Sequence, residues 1–144
     1  MSVPDRLWQH ISVDFLTGLP WSKGYNSICV VEDHPTKQRH LIPSTTAIIA
    51  EELGTLFCNR VFHYHCLPES IVLDRGPQFA SCFWKHLCSY LKIDSRLSTT
   101  FHLQTDGQTE RVKVVVEQHL RAYIAYLRDD WADYLFLVEF AGNN

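Results

Sequence analysis

At 144 residues, with 46% hydrophobic and 12% aromatic side chains, the chain has the length of one domain and the apolar content for a sizeable core. Thirteen basic residues against sixteen acidic ones leave a net charge of −3, which excludes the overall basic signature of an autonomous nucleic-acid binder. Contact with DNA must then rest on a local patch, on flanking parts, or on bound cations, two Mg²⁺ adding four positive charges where carboxylates cluster.

The elements follow in chain order. Trp8 to Leu16 is rich in β-formers, Pro20-Trp-Ser-Lys-Gly24 is a turn, and Tyr25 to Val31 is a second strand. Arg39 to Ile42 makes a third, because Pro35-Thr-Lys37 leaves room only for a short hairpin connection. From about Ala47, Ile49, Leu53, Leu56, Phe57 and Val61 recur at helical steps, with Thr45 or Thr46 able to cap the start. Ser70 to Leu73 is a short apolar run, as a buried parallel strand would be. A second helix gathers Phe83, Leu87, Cys88 and Leu91 on one face. A brief strand around Ser95 to Ser98 leads into the polar loop from Thr99 to Gly107. Val112, Val116, Leu120, Tyr123 and Leu127 form the core stripe of a long helix, with Glu110, Lys113, Glu117 and Arg121 on its other face. Asp130 is expected to cap a last helix beginning at Trp131. The order β-β-β-α-β-α-β-α-α implies a mixed sheet with helices packed on it.

Five cysteines (Cys29, Cys58, Cys66, Cys82 and Cys88) are an odd number with no C-x-x-C pair, so neither a disulfide framework nor a zinc knuckle is suggested. Buried, reduced thiols are expected at Cys29, Cys82 and Cys88. His63, His65 and Cys66 lack the second pair that zinc-finger spacing requires. The sequence from Met1 has no apolar signal region and no apolar run of membrane length, so a soluble, intracellular chain is expected.

Three carboxylates carry the chemistry. Asp14 in Ile11-Ser-Val-Asp-Phe15 and Asp74 in Ile71-Val-Leu-Asp-Arg-Gly76 end β-type runs, and Glu110 in Thr105-Asp-Gly-Gln-Thr-Glu-Arg111 opens a helical one. Thirty-five residues separate Asp74 from Glu110. Strand ends and a helix start can bring such acids to one point, and hard divalent cations are bound through oxygen ligands of this kind. Each acid also has a plainer reading. Asp at a strand end is commonly a solvated turn former, and Glu in a first helical turn is favoured by the helix dipole.

The text around the acids is more specific. Trp8-Gln-His-Ile-Ser-Val-Asp-Phe15, Leu67-Pro-Glu-Ser-Ile-Val-Leu-Asp-Arg-Gly-Pro-Gln-Phe79 and Leu97-Ser-Thr-Thr-Phe-His-Leu-Gln-Thr-Asp-Gly-Gln-Thr-Glu-Arg111 resemble the integrase catalytic core of Ty3/gypsy-type LTR retrotransposons. Ser81-Cys-Phe-Trp84, Leu120-Arg-Ala-Tyr123, Asp130-Trp131 and Glu139-Phe-Ala-Gly-Asn-Asn144 do likewise. The resemblance runs from about residue 8 to 144 of a single domain. It implies an α/β fold of the ribonuclease H-like kind, a mixed five-stranded sheet with helices packed on both faces, and Asp14, Asp74 and Glu110 match the family's D,D(35)E triad.

The activity implied is polynucleotidyl transfer: processing of DNA 3′ ends and strand transfer during integration of retroelement cDNA. Two Mg²⁺ (or Mn²⁺) ions would be held by the three acids, with Asp14 the bridging ligand. The partners implied are the cDNA ends and target DNA, together with further copies of the chain in a homodimer or higher multimer. The place of action would be the nucleus, reached from a cytoplasmic particle. No membrane is involved. Gln104, Thr105, Gln108 and Thr109 would contact DNA beside the site, and Lys113 and Arg121 would pair with phosphates. Glu117 and Arg121 can equally form an ordinary surface pair. Arg75 is expected to neutralise the acids in the metal-free state, and His102 to position the loop.

Some positions depart from the family's pattern. Cys66 stands where the family writes Gly, Leu103 where it writes Pro, and Lys113 where Asn is typical. Asp33-His-Pro-Thr-Lys37 replaces an Asp-Arg-hydrophobic-Ser/Thr-Lys turn, and Gly142 takes an aromatic position. The family's flanking zinc-binding and basic domains have no counterpart in the 144 residues. The alternative is therefore a decayed or domesticated integrase fold serving nucleic-acid binding or self-association. A ribonuclease H-type nuclease is disfavoured by the integrase-like string before Glu110.

Overall fold

The computed structural model describes residues 8–62, 68–73, 75–92, 100–102 and 107–143, with the backbone alone at 62, 100–102, 107–113 and 142–143. The strands are β1 (His10–Leu16), β2 (Ser27–Asp33), β3 (Arg39–Ser44), β4 (Ser70–Leu73) and β5 (Thr100–His102). The helices are α1 (Ala50–Phe57), α2 (Pro77–Leu91), α3 (Gly107–Leu127) and α4 (Trp131–Asn143). The chain order of strands and helices is the one the sequence implies, and the sheet is five-stranded, ordered β3-β2-β1-β4-β5.

β1 pairs antiparallel with β2 (Val13 opposite Val31) and parallel with β4 (Val13 opposite Leu73). β4 pairs parallel with β5, and β2 antiparallel with β3. The β1–β2 hairpin closes through Ser22 and Tyr25, whose backbones bond each other at 2.8 and 2.9 Å. Lys23 and Gly24 between them both have positive φ, the geometry of a tight hairpin turn. Asp33 closes the next turn. Buried, it accepts hydrogen bonds from the Trp8 and Thr36 backbone N–H groups and from the Thr36 hydroxyl.

The alternation of side chains along each strand divides the core in two. Ile11, Val13, Cys29, Val31, Ile42, Ile71 and Leu73 meet Leu53 and Phe57 of α1 and Phe83, Leu87 and Cys88 of α2. Leu16, Ile28 and Leu41 meet Leu120 and Ile124 of α3 and Trp131 and Leu135 of α4. Helices therefore cover both faces, as expected.

Four local expectations are corrected. The first helix starts at Ala50, not Ala47, because Thr46 is engaged with Asn26 (Thr46 N–H to Asn26 Oδ1, 3.0 Å) and Glu52 reaches back to the Ile49 N–H. The fifth strand lies at Thr100–His102, inside the stretch read as loop, where Ser70 and Val72 of β4 supply its pairing. The expected position, Ser95 to Ser98, lies outside the described residues. On α3, Ile124 is buried and Tyr123 is exposed, so the stripe continues at four-residue steps from Leu120. Cys82 is exposed on α2, whereas Cys29, Cys58 and Cys88 are buried free thiols. Cys66, His63 and His65 lie outside the described residues.

The expected Asp130 cap is also replaced. A 3₁₀ turn, Arg128–Asp130, opens on the left-handed Arg128, and the Ser22 hydroxyl from the distant hairpin accepts the Ala132 N–H at 3.1 Å. Beside it, the fully buried Trp131 ring donates Nε1–H to the Pro20 carbonyl at 2.7 Å.

β3 is an edge strand, and α4 guards it. The Leu41 N–H donates to Glu139 Oε1 at 2.7 Å, and the same oxygen lies 3.5 Å from His40 Nδ1. Burial works against ionisation of Glu139. The His40 and Leu41 hydrogen bonds and the positive charges of His40 and Arg60 outweigh it, holding the carboxyl below its ordinary value of 4.5. An edge N–H taken up by a carboxylate is closed to strand addition.

Two outcomes are expected. In Gly54→Ala the new Cβ would stand 2.9 Å from His86 Cδ2 and 3.5 Å from the Leu87 backbone nitrogen. Overpacking of this α1–α2 crossing is expected to cost about 1–3 kcal/mol in urea unfolding. For Glu139 the folded-state value is depressed, so its contribution to stability is present above 4.5 and lost as pH falls through the folded-state value. Comparing Glu139→Gln with the unaltered chain by thermal denaturation from pH 7 to pH 3 should show a deficit that shrinks on acidification; a constant deficit would refute the assignment.

Candidate functional site

Three strands run parallel and side by side: β1, β4 and β5. Their carboxyl ends share one edge of the sheet, the edge at which α/β sheets commonly bind ligands. Asp14 sits near that end of β1, opposite Val30 in β2 and half-buried. Its neighbours Val13 and Phe15 pack into the α1–α2 layer, and Val30 packs into the α3–α4 layer. Asp14 therefore belongs to the α3–α4 side of the sheet.

β4 ends at Leu73, opposite Val13, each one residue before an acid of the trio. Asp74 itself lies outside the described residues, as do Gln104, Thr105 and the rest of 103–106. α3 begins at Gly107, so Gln108, Thr109 and Glu110 fall in its first turn. Exposed backbone N–H groups and the positive end of the helix dipole favour negative charge there. Lys113 follows on the same helix. The side chains of Gln108, Thr109, Glu110 and Lys113 lie outside the described residues. His102 is the last residue of β5 rather than part of a loop.

Arg121 is exposed on α3, directly after the buried Leu120. Among the described residues no ion pair joins it to Glu117. Among the described residues, too, no group of three His, Cys, Asp or Glu side chains is close enough to hold a metal. Of the trio, only the Asp14 side chain is described.

Arg75 does something the sequence did not announce. Its guanidinium lies over the Phe15 ring, 4.1 Å from the centroid, and 5.6 Å from that of Phe79 in the first turn of α2. A cation over an aromatic face contributes about 0.5–1 kcal/mol at exposed sites and about 2 when desolvated. The only signal in the sequence was the spacing Phe15, Arg75, Phe79, which has no local period. Cys29, opposite Phe15 in the sheet, registers both nearby charges. Burial pushes its thiol up to about 12, the negative charge of Asp14 adds to the rise, and Arg75 opposes it.

A second concavity, of about 190 Å³, lies between β3, α3 and α4, lined in part by Arg39, His119, Tyr123 and Glu139. It is far in the sheet order from the β4 end, and Asp14 is not among its described lining residues.

No family model matches the chain. Over 140 residues, 97% of its length, it is 37% identical to the Transposon Tf2-3 polyprotein of Schizosaccharomyces pombe, and equally to the Tf2-4 polyprotein. It spans about 10% of the length of these relatives. Among solved structures it is similar to the catalytic core domain of BIV integrase, with a TM-score of 0.57 at 17% identity over 85% of this chain and 73% of that one. It is also similar to a chain of the simian T-cell lymphotropic virus intasome in complex with PP2A regulatory subunit B56 gamma, with a TM-score of 0.54 at 21% identity over 83% and 42%. Sequence and fold agree: the chain is an integrase-like core domain, related over nearly its whole length to one segment of the Ty3/gypsy-type Tf2 polyproteins.

Proposed function

We propose that the chain is the polynucleotidyl transferase core of a retroelement integrase, acting on DNA 3′ ends and on target DNA with divalent metal. The observation that supports this reading is the parallel arrangement of β1, β4 and β5, with the strand that carries Asp14 beside the strand that precedes Asp74, and with Glu110 in the first turn of the helix that follows β5 in the chain. Carboxylate oxygens are the donor set that Mg²⁺ and Mn²⁺ prefer, so Asp14, Asp74 and Glu110 are suited to hold two such ions. Once bound, the metals supply activation of the attacking oxygen and stabilisation of the leaving one.

The chain's own residues have separable tasks in this reading. Asp14 belongs to a strand paired on both sides, which fixes its backbone. Glu110 stands in the first turn of α3, where the positive end of the helix dipole favours negative charge. Gln104, Thr105, Gln108 and Thr109 offer amides and hydroxyls to DNA, and Lys113 and Arg121 offer cations to phosphates. The partners would be element cDNA ends, target DNA and further copies of the chain, and the place of action the nucleus.

A second reading, a self-association module without catalysis, draws on α4. Phe136 and Phe140 are 64% and 70% exposed, with the half-exposed Leu137 beside them, an apolar stripe unusual for a solvated helix. Incubating the chain with a branched DNA substrate and Mn²⁺ separates the two readings. Strand cleavage is expected from the unaltered chain and a loss of at least about 100-fold from Asp14→Asn, Asp74→Asn and Glu110→Gln. Equal cleavage by all four proteins, or by none, leaves only the second reading.

A further inference from the structure

Phe15 and Arg75 immediately follow two of the three acids in the chain, and they touch each other. Phe15 belongs to β1, Phe79 to the first turn of α2, and Arg75 to the connection between β4 and α2, so one guanidinium joins three elements. The contact lies on the α1–α2 side of the sheet, where Phe15 and Phe79 pack against the core, and Asp14 is on the other side. The stretch after Arg75 turns sharply into α2. Gly76 adopts φ 88°, a conformation that favours glycine, and Pro77 at the first helical position has its φ fixed by its ring.

We propose that Arg75 is a positioning residue: by stacking on Phe15 and Phe79 it fastens the segment after β4 to β1, and so holds Asp74 in register with Asp14 for metal binding. Asp74 is one peptide bond from Arg75, which keeps their Cα atoms about 3.8 Å apart, so whatever fixes Arg75 restricts the acid. A planar guanidinium stacks between two rings where a lysine ammonium offers only a point charge. This inference rests on the metal-site reading above.

The sign of the effect on metal affinity separates positioning from simple charge. Removing a cation near a site for divalent ions relieves repulsion and tightens binding; removing a tether weakens it. Mn²⁺ affinity of the full chain, measured by titration calorimetry, is expected to fall about ten-fold in Arg75→Met and in Phe15→Leu, the scale on which residues supporting metal ligands act. Arg75→Lys is expected to fall between. Amide hydrogen exchange without metal should be faster across 75–80 in Arg75→Met. Unchanged or tighter Mn²⁺ binding in Arg75→Met, or unchanged exchange, overturns the tether while the metal site stands. Absence of Mn²⁺ binding by the unaltered chain overturns both readings together.

Discussion

Successive residues of a strand must point to opposite sides of its sheet, and on β1 this rule acts at the point that matters most. Asp14 is assigned to the layer built by α3 and α4, and Phe15 to the layer built by α1 and α2. β1 can enforce that division because it is held on both flanks, antiparallel to β2 and parallel to β4. A shift of one residue in either pairing would exchange the two layers' partners and bury the acid among Phe57 and Phe83. The face to which Asp14 belongs and the packing of the core are thus set by the same register.

The two layers have different chemical characters. The α1–α2 side is a nearly continuous apolar core, with Phe57 and Phe83 edge to face at 5.6 Å and Gly54 admitting His86 at close range. Among the described residues, the α3–α4 side is held by fewer buried side chains and by polar fastenings to distant parts of the chain: Trp131 to Pro20, Ala132 to Ser22 and Glu139 to Leu41. A layer assembled in this way combines a fixed outline with a less apolar inner surface.

Much of this was legible in the sequence, and the failures have physical causes. A short unbroken apolar run located β4 at its observed bounds, and apolar patterning gave the order of every strand and helix. β5 was misplaced because three residues carry no period of their own; the parallel edge of β4 makes them a strand. The start of α1 was set by Thr46 being taken by Asn26, a contact twenty residues away that no local rule reports. Tyr123 and Ile124 are both apolar neighbours on α3, and only the position of α4 decides which faces inward. The motif text pointed to an integrase-like core, and the chain's kinship with the Tf2 polyproteins and its fold agree. Arg75 was read as a charge beside the acids; Asp74 lies outside the described residues, and among the described residues the guanidinium also lies over the Phe15 ring and near that of Phe79, which no local pattern announces.

The fastening of Trp131 to the Pro20 carbonyl spans 111 positions of sequence. Leu16, Leu19 and Ile28, made early, find their cover only when Trp131 and Leu135 have been synthesised. One face of the sheet therefore stays exposed through most of translation, while the other can close as soon as α1 and α2 emerge. Long-range closure of this kind slows folding and lengthens the time during which apolar surface is open to other chains. For a domain whose relatives are segments of much longer polyproteins, the order of synthesis would decide when the acidic edge acquires its second wall.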